Sequence, residues 1–150
     1  IDAAEKQGTQ IVSVTQGMAF TLGRAHVTFI GPARTQHTDS RDDGLTLRID
    51  YGQTSVVVTG CITSNGEKEI VSSGAAVACD ALIVARGGTE AATCAEWVEA
   101  ASPKIALVTG KNPANSVRIR LQKYGATVYA AKENGVMTLL SDGQTVTVEP

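Results

Sequence analysis

The first sixty residues carry apolar positions in patterns that are typical of strands. The stretches "TQIVSV" (9–14) and "AHVTFIG" (25–31) alternate or run apolar, and "QGMAFTLGR" (16–24) between them predicts a short hairpin. The longer stretch "LTLRIDYGQTSVVVTG" (45–60) predicts two strands joined by a tight turn at residues 51–53. This part of the chain therefore predicts a meander of strands.

From residue 66 onward, helix and strand patterns alternate. Short apolar runs at 80–85 ("DALIVA") and 104–110 ("KIALVTG") predict buried strands. Apolar spacing and helix end signals predict three helices, at residues 66–74, 90–102 and 112–125. The segment 126–150 predicts three short strands, with hairpin turns at Asn134-Gly135 and Asp142-Gly143.

These patterns predict a single α/β domain over residues 1–150. Residues 1–8 indicate the end of a helix, and the polar stretch 33–44 predicts a surface loop. Apolar strands that alternate with helices imply a mixed β-sheet with helices packed on it. Apolar strand residues are candidates for the core on one side of that sheet or the other: Val56, Val58, Leu82, Val84, Ile105 and Leu107.

Composition and charge exclude some classes of protein. The net charge of −2 does not indicate tight, charge-driven nucleic-acid binding. An aromatic content of 4% leaves few side chains for base stacking. No apolar run approaches the roughly 20 residues of a membrane span. The chain begins without Met and without a signal segment, so we expect it to be a fragment of a longer protein.

The cysteines and histidines do not form a recognisable metal motif. Cys61, Cys79 and Cys94 are too few for a disulfide scaffold and match no zinc spacing. Cys79 and Cys94 are read as small core residues, although one disulfide with a leftover thiol also fits the sequence. His26 lies in a strand pattern, and His37 lies in an acidic loop that is either a solvated turn or a loop metal site.

Three loops leave apolar strands where α/β sheets usually bind ligands, at the C-terminal strand ends. They are Thr59-Gly60-Cys61, Arg86-Gly87-Gly88-Thr89 and Gly110-Lys111-Asn112-Pro113.

With "RDDGLTL" (41–47), these loops resemble, in order, the motifs of the second half of a metallo-β-lactamase-like domain. The similarity is closer to the C-terminal domain of ComEC-type competence proteins, the DNA-uptake channel of bacteria. "RDDGLTL" resembles the family's N-D-N-S-L-V-L, 59–61 its T-G-D, 86–89 its H-H-G-S, and the loop at 110–113 its G-H-P. The resemblance implies the C-terminal half of an αββα sandwich.

The resemblance also implies a centre of two Zn²⁺ or Mn²⁺ ions, but the ligand positions in this chain are substituted. These former metal-ligand positions are Cys61, Arg86, Gly87 and Asn112. The family's H-x-H-x-D-H motif is absent from these 150 residues. Because a guanidinium is permanently positive, the residue at 86 would repel a metal ion. We therefore expect no cofactor, no bound metal and no catalytic residue.

Three hypotheses about function follow. The first is a non-catalytic domain of a ComEC-like DNA-uptake protein, a membrane protein, that acts in binding or architecture. The second is a metal-dependent hydrolase or nuclease domain whose remaining ligands lie in a missing N-terminal half. The third is a protein-protein interaction module unrelated to DNA. The family implies an extracytoplasmic location, and a cytoplasmic one stays open.

Candidate partners are DNA, the membrane channel of the parent protein, and a second copy of the chain through an exposed sheet face. Candidate DNA contacts are positive residues near the strand-end loops and on the helix that follows: Arg41, Arg86, Lys111, Arg118, Arg120 and Lys123.

Overall fold

The computed structural model describes residues 1–149 and contains one seven-stranded sheet and one separate hairpin. The seven strands lie in the sheet in the order in which they occur in the chain. They are β1 (Ala19–Leu22), β2 (Ala25–Gly31), β3 (Thr46–Tyr51), β4 (Thr54–Val58), β5 (Ala81–Ile83), β6 (Ile105–Val108) and β7 (Thr127–Ala130), and the hairpin is β8 (Thr138–Ser141) with β9 (Val146–Glu149).

Within residues 1–149, five α-helices accompany the strands. They are α1 (Asp2–Lys6), α2 (Ser64–Ser72), α3 (Ala95–Ala101), α4 (Asn115–Lys123) and α5 (Ala131–Asn134), with single 3₁₀ turns at Ser40–Asp43 and Ala85–Gly87. No helix within residues 1–149 is long and apolar enough to cross a membrane.

The sheet has an antiparallel part and a parallel part. Strands β1 to β4 pair antiparallel, whereas β4 to β7 pair parallel and are joined by α2, α3 and α4 in turn. A parallel pair needs a crossover connection, and in this chain each crossover is a helix. The structure confirms the predicted α/β class, a mixed sheet with helices packed on it.

The main core lies between the sheet and helices α2, α3 and α4. Val57, Leu82 and Ala106 lie side by side on neighbouring strands and point toward these helices. Trp97 of α3 and Leu121 of α4 are fully buried against them. The predicted core residues Leu82 and Val84 belong to this layer. Beyond the C-terminal ends of β4 and β6, the chain is exposed at Gly60, Cys61 and Lys111.

The opposite sheet face, which we call the open face, is also apolar. Register pairs Leu47 with Val58 and Ile49 with Val56, and these four side chains are only half-buried. Four of the predicted core residues point to this face: Val56, Val58, Ile105 and Leu107. The β8–β9 hairpin approaches it near the β3–β4 turn, where Gln53 N–H donates to the Gly143 carbonyl at 2.7 Å.

One strand prediction and one turn prediction are wrong. Residues 9–14 form no strand, and Ile11 and Val12 are exposed there. The first strand of the meander is β1, which lies inside the stretch 16–24 that is predicted to form a hairpin. The predicted hairpin turn at Asn134-Gly135 is the end of α5. The Asn134 side-chain oxygen accepts the Ala130 N–H at 3.0 Å, which closes a helical turn instead. The turn at Asp142-Gly143 is present between β8 and β9.

Two further predictions need correction. The helix predicted over 90–102 begins only at Ala95, because Thr93 has a left-handed backbone with φ 60° and interrupts the pattern. The loop 33–44 is not purely a surface loop, because Asp42 and the His37 imidazole are buried in it. Cys79 and Cys94 are buried as predicted, and the three cysteines are unpaired.

Candidate functional site

The loops that follow β4, β5 and β6 contact one another at the C-terminal strand ends. The Thr59 hydroxyl donates to the Ile83 carbonyl at 2.6 Å, and the Arg86 N–H donates to the Gly60 carbonyl at 3.1 Å. On the other side, the Ala114 N–H donates to the Gly88 carbonyl at 2.8 Å. Parallel strands bring these three loops to one edge, which is where a sheet of this type binds ligands.

Close approach of the backbone explains the glycines in this edge. A Cβ atom at Gly87 would lie 2.8 Å from the Thr109 carbonyl oxygen, and one at Gly88 would lie 2.6 Å from Pro113 Cβ. Both glycines also have positive φ, at 62° and 75°. A residue with a side chain would therefore force the second and third loops apart.

Arg86 precedes these glycines and shares their left-handed backbone, with φ 51° and ψ 30°. Residues other than glycine, asparagine and aspartate rarely adopt this conformation. Its guanidinium Nη1 is shielded from solvent and has no hydrogen-bond partner among residues 1–149. The other buried side-chain atoms without a partner in that range are hydroxyl oxygens, so Arg86 supplies the one charged group among them.

Arg86 lines a cleft of about 370 Å³, which lies between the 33–44 loop, the start of α2 and the β5–α3 connection. We call it the arginine cleft, and its lining residues are Asp39, Arg41, Thr63, Ser64, Asn65, Arg86 and Ala91. Arg41 forms a two-point ion pair with Asp39, including an Nε to Oδ1 contact of 2.7 Å. The hydrogen bond from Arg41 lowers the pKa of Asp39 to about 2, and the charge of Arg86 adds to this.

The 33–44 loop is fixed to α2 by a buried carboxylate. Asp42 is 3% exposed and accepts the Thr63 N–H at 2.7 Å and the Thr63 hydroxyl at 2.9 Å. A Cβ atom at Gly66 would lie 2.7 Å from the Asp42 carboxylate, so the helix approaches the loop closely. These contacts hold Arg41 beside the arginine cleft.

A second connection between the loop and α2 runs through His37. Its Nδ1 lies 2.8 Å from Asp43 and its Nε2 lies 2.7 Å from Glu69, which also forms a two-point ion pair with Arg34. Carboxylates only accept hydrogen bonds, so the imidazolium, with two N–H donors, fits both contacts. The Asp43 hydrogen bond accordingly raises the pKa of His37, and the Arg34 hydrogen bond lowers the pKa of Glu69 to about 2.

Glu67 is a fully buried carboxylate that sequence reasoning missed. It projects from α2 and accepts the backbone N–H groups of Thr93 and Cys94 at 2.6 and 2.8 Å, at the start of α3. Burial raises the pKa of Glu67, while the two backbone hydrogen bonds act in the opposite direction. Its role is to join α2 to α3 behind the strand-end loops.

The structure places the sequence-predicted residues in two groups. Arg41 and Arg86 lie together in the arginine cleft, and Cys61, Gly87, Lys111 and Asn112 lie in the adjoining strand-end loops. The three cations of α4 are engaged elsewhere. Arg118 pairs with Glu133 at 2.6 Å, Arg120 donates to the Thr93 carbonyl at 2.5 Å, and Lys123 lies 5.9 Å from the centre of the Tyr124 ring.

The donor atoms at this edge do not fit the two-metal centre that the resemblance implies. Arg86 offers no lone pair, Gly87 has no side chain, and Asn112 offers only a neutral amide. That leaves Cys61, which is exposed, and one thiolate does not make a site. Within residues 1–149, no group of three or more His, Cys, Asp and Glu side chains is placed to hold a metal ion.

Comparison with known proteins finds similarity to a competence operon protein. The chain is 24% identical over 143 residues to ComE operon protein 3 of Bacillus subtilis (strain 168). The aligned region covers 91% of this chain but only 18% of that protein. No family model matches the chain. The similarity supports a relation to competence proteins, and this chain spans less than a fifth of its relative's length.

Proposed function

We propose that this chain is a non-catalytic, metallo-β-lactamase-like domain of a competence-type DNA-uptake protein, and that it contacts DNA through its strand-end loops. The observation that carries the proposal is the similarity to ComE operon protein 3, which extends over 91% of the chain. The proposal includes an extracytoplasmic location beside the membrane channel of the parent protein, since the family implies that setting.

The side chains of the strand-end loops favour a role in DNA contact and not in metal-dependent catalysis. Of the four positions that correspond to metal ligands, Arg86, Gly87 and Asn112 offer no group that suits Zn²⁺ or Mn²⁺, and Arg86 carries a fixed positive charge. Arg86 and Arg41 line one cleft, and Lys111 is exposed in the next loop. The chain as a whole has a net charge of −2, so the contact with DNA is local and weak.

The test is the salt dependence of DNA binding, measured by fluorescence anisotropy with a labelled single strand. Each phosphate contact contributes about −0.7 to the slope of log affinity against log salt for a single strand. We expect a slope of about −1 to −2, corresponding to roughly two contacts. Arg86→Gln and Lys111→Gln should each make the slope shallower by about 0.7.

Lys104→Gln is the matched control. Lys104 is exposed and precedes β6, at the opposite end of the strands from the arginine cleft. The Lys104→Gln substitution removes the same charge without changing the strand-end loops. The slope of log affinity against log salt for this variant should therefore equal that of the unmodified chain. Absence of binding at low salt, or an equal change in all three variants, would contradict the proposal.

A further inference from the structure

We propose that the arginine cleft binds a single phosphate group and that the Arg86 guanidinium is its main ligand. The inference rests on the proposed function, because a DNA strand presents such groups. It adds which side chain receives the phosphate and where the phosphate lies. Three features of the cleft support it: a donor without a partner, a strained backbone and an unbalanced charge.

The Arg86 side chain has a hydrogen-bond donor that the protein does not use. Nη1 is shielded from solvent and finds no acceptor among residues 1–149. A donor that is withdrawn from water and left unpaired is destabilising, and more so when it is charged. Arg86 lines the arginine cleft and is only half-buried as a residue, so we infer that a turn of the guanidinium would let Nη1 donate to an oxyanion bound there.

The backbone at residue 86 favours a residue other than arginine. With φ 51° it lies in the left-handed region, and the next two residues are glycines in the same region. Glycine would adopt this conformation without strain. Strain of this kind at a cleft points to a role for the side chain that is present.

The charges that line the cleft do not cancel. Two arginines, Arg41 and Arg86, and one carboxylate, Asp39, line the cleft, and Arg41 forms a two-point ion pair with that carboxylate, so the lining carries an excess of one positive charge. The cleft is also lined by Ser64 and Asn65 in the first turn of α2, a helix of nine residues whose N-terminal end carries partial positive charge. Hydroxyl, amide and guanidinium groups therefore line the same cleft.

This donor set fits a phosphate group. A phosphate has several acceptor oxygens in a tetrahedral arrangement, and the planar guanidinium binds two of them side by side. The cleft is open to solvent along the strand ends, so a phosphodiester with its flanking sugars is accommodated as well as a free phosphate. A DNA strand and a free phosphate share this chemistry, and the experiment must separate them.

The experiment is an NMR titration with inorganic phosphate at constant ionic strength, with chloride as the balancing anion. We expect saturable shifts of the Arg86 side-chain Nε–H and of the backbone amides of Ser64, Asn65 and Ala91. One charge-assisted contact corresponds to about a tenfold change in affinity. Arg86→Gln should therefore weaken phosphate binding about tenfold or more, and Lys104→Gln should leave it unchanged.

A second variant separates the side chain from the fold. Arg86→Gly removes the guanidinium but suits the left-handed backbone, so it should melt no lower than the unmodified chain and still lose phosphate binding. Arg86→Lys keeps the charge but not the planar fork, and should bind phosphate more weakly than the unmodified chain. Absence of saturable shifts, or equal phosphate affinity in Arg86→Gly and the unmodified chain, would overturn the inference.

The same samples, titrated with a single-stranded oligonucleotide, distinguish this inference from the proposed function. If DNA binding survives in Arg86→Gln and phosphate shifts are absent, the cleft proposal is wrong and the DNA proposal stands. If phosphate binds to Arg86 but no oligonucleotide does, the cleft proposal stands and the DNA proposal is wrong.

Discussion

Removing the Glu67 carboxylate should destabilise the fold more than any exposed charge does. The side chain is fully buried and accepts two backbone hydrogen bonds at the start of α3, from Thr93 and Cys94. Hydrogen bonds to a charged group are worth roughly 1.5–3 kcal/mol each, and a buried donor left unpaired adds to the loss. Part of this is offset, because burying the carboxylate is itself unfavourable. We expect Glu67→Ala to lower the free energy of unfolding by about 3 kcal/mol.

Glu67→Gln isolates the role of the second acceptor oxygen. The amide keeps the volume and one acceptor, so one of the two backbone N–H groups loses its partner. We expect a loss of about 1 kcal/mol. Glu99→Ala is the control on the same helix pair. Glu99 is exposed on α3 and has only a 3.4 Å contact with the Tyr124 hydroxyl, so its loss should stay below about 0.5 kcal/mol.

Urea unfolding followed by tryptophan fluorescence is the direct assay. Trp97 is the only tryptophan and is fully buried on α3, next to the hydrogen bonds in question. Equal stability of Glu67→Ala and the unmodified chain would refute the reasoning, and so would a larger loss in Glu67→Gln than in Glu67→Ala.

The pH dependence of the free energy of unfolding, compared between the unmodified chain and Glu67→Gln, gives a second check whose sign can be predicted. Burial raises the pKa of Glu67, so the folded state holds this proton more tightly than the unfolded state. Its contribution to stability is greatest below the ordinary carboxylate range and is lost as pH rises through the raised pKa. The unmodified chain should therefore lose stability relative to Glu67→Gln as pH rises over that range.

Four other predictions follow, three from the site and one from the open face. His37, which faces Asp43, Glu69 and Arg34, has a raised pKa, so its contribution to stability is complete below about pH 6.5 and is lost as pH rises through the folded-state value; an NMR pKa at or below 6.5 would contradict this. Asp42→Ala should cost about 2–4 kcal/mol in urea unfolding and make residues 33–44 sensitive to protease, whereas exposed Asp2→Ala should do neither. After incubation with Zn²⁺ or Mn²⁺ and desalting, elemental analysis should find less than about 0.1 equivalent of either metal; one or two equivalents would show that Cys61 is a ligand. The open face predicts a dimer at high micromolar concentration, and a monomer in light scattering would count against it.

The sheet could be predicted from the sequence where short-range patterns decide the structure. The hairpin of β3 and β4 around Gly52 and the buried strand β6 follow from alternation and turn residues alone. The start of α3 could not be predicted in this way. It depends on Glu67, 28 residues before Ala95, which takes up the N–H groups that an earlier helix start would use. Periodicity contains no information about such a contact.

The candidate site shows the same division. The sequence predicts three loops at C-terminal strand ends, and in the structure hydrogen bonds join these loops at one edge of the sheet. The engagement of Arg118 by Glu133 and of Arg120 by a backbone carbonyl depends on tertiary neighbours. The same holds for Asp42 and His37, which look like solvated loop residues in the sequence but are buried against α2.

One measurement tests the central claim, that the strand-end loops bind DNA without a metal centre. It is the anisotropy of a labelled single strand, followed over time with the unmodified chain at low salt, in EDTA and in Mn²⁺. We expect the same affinity in both solutions and an anisotropy that stays constant after mixing. Binding only in Mn²⁺ with a falling anisotropy would show a metal-dependent nuclease, and no binding in either solution would show that DNA is not the partner.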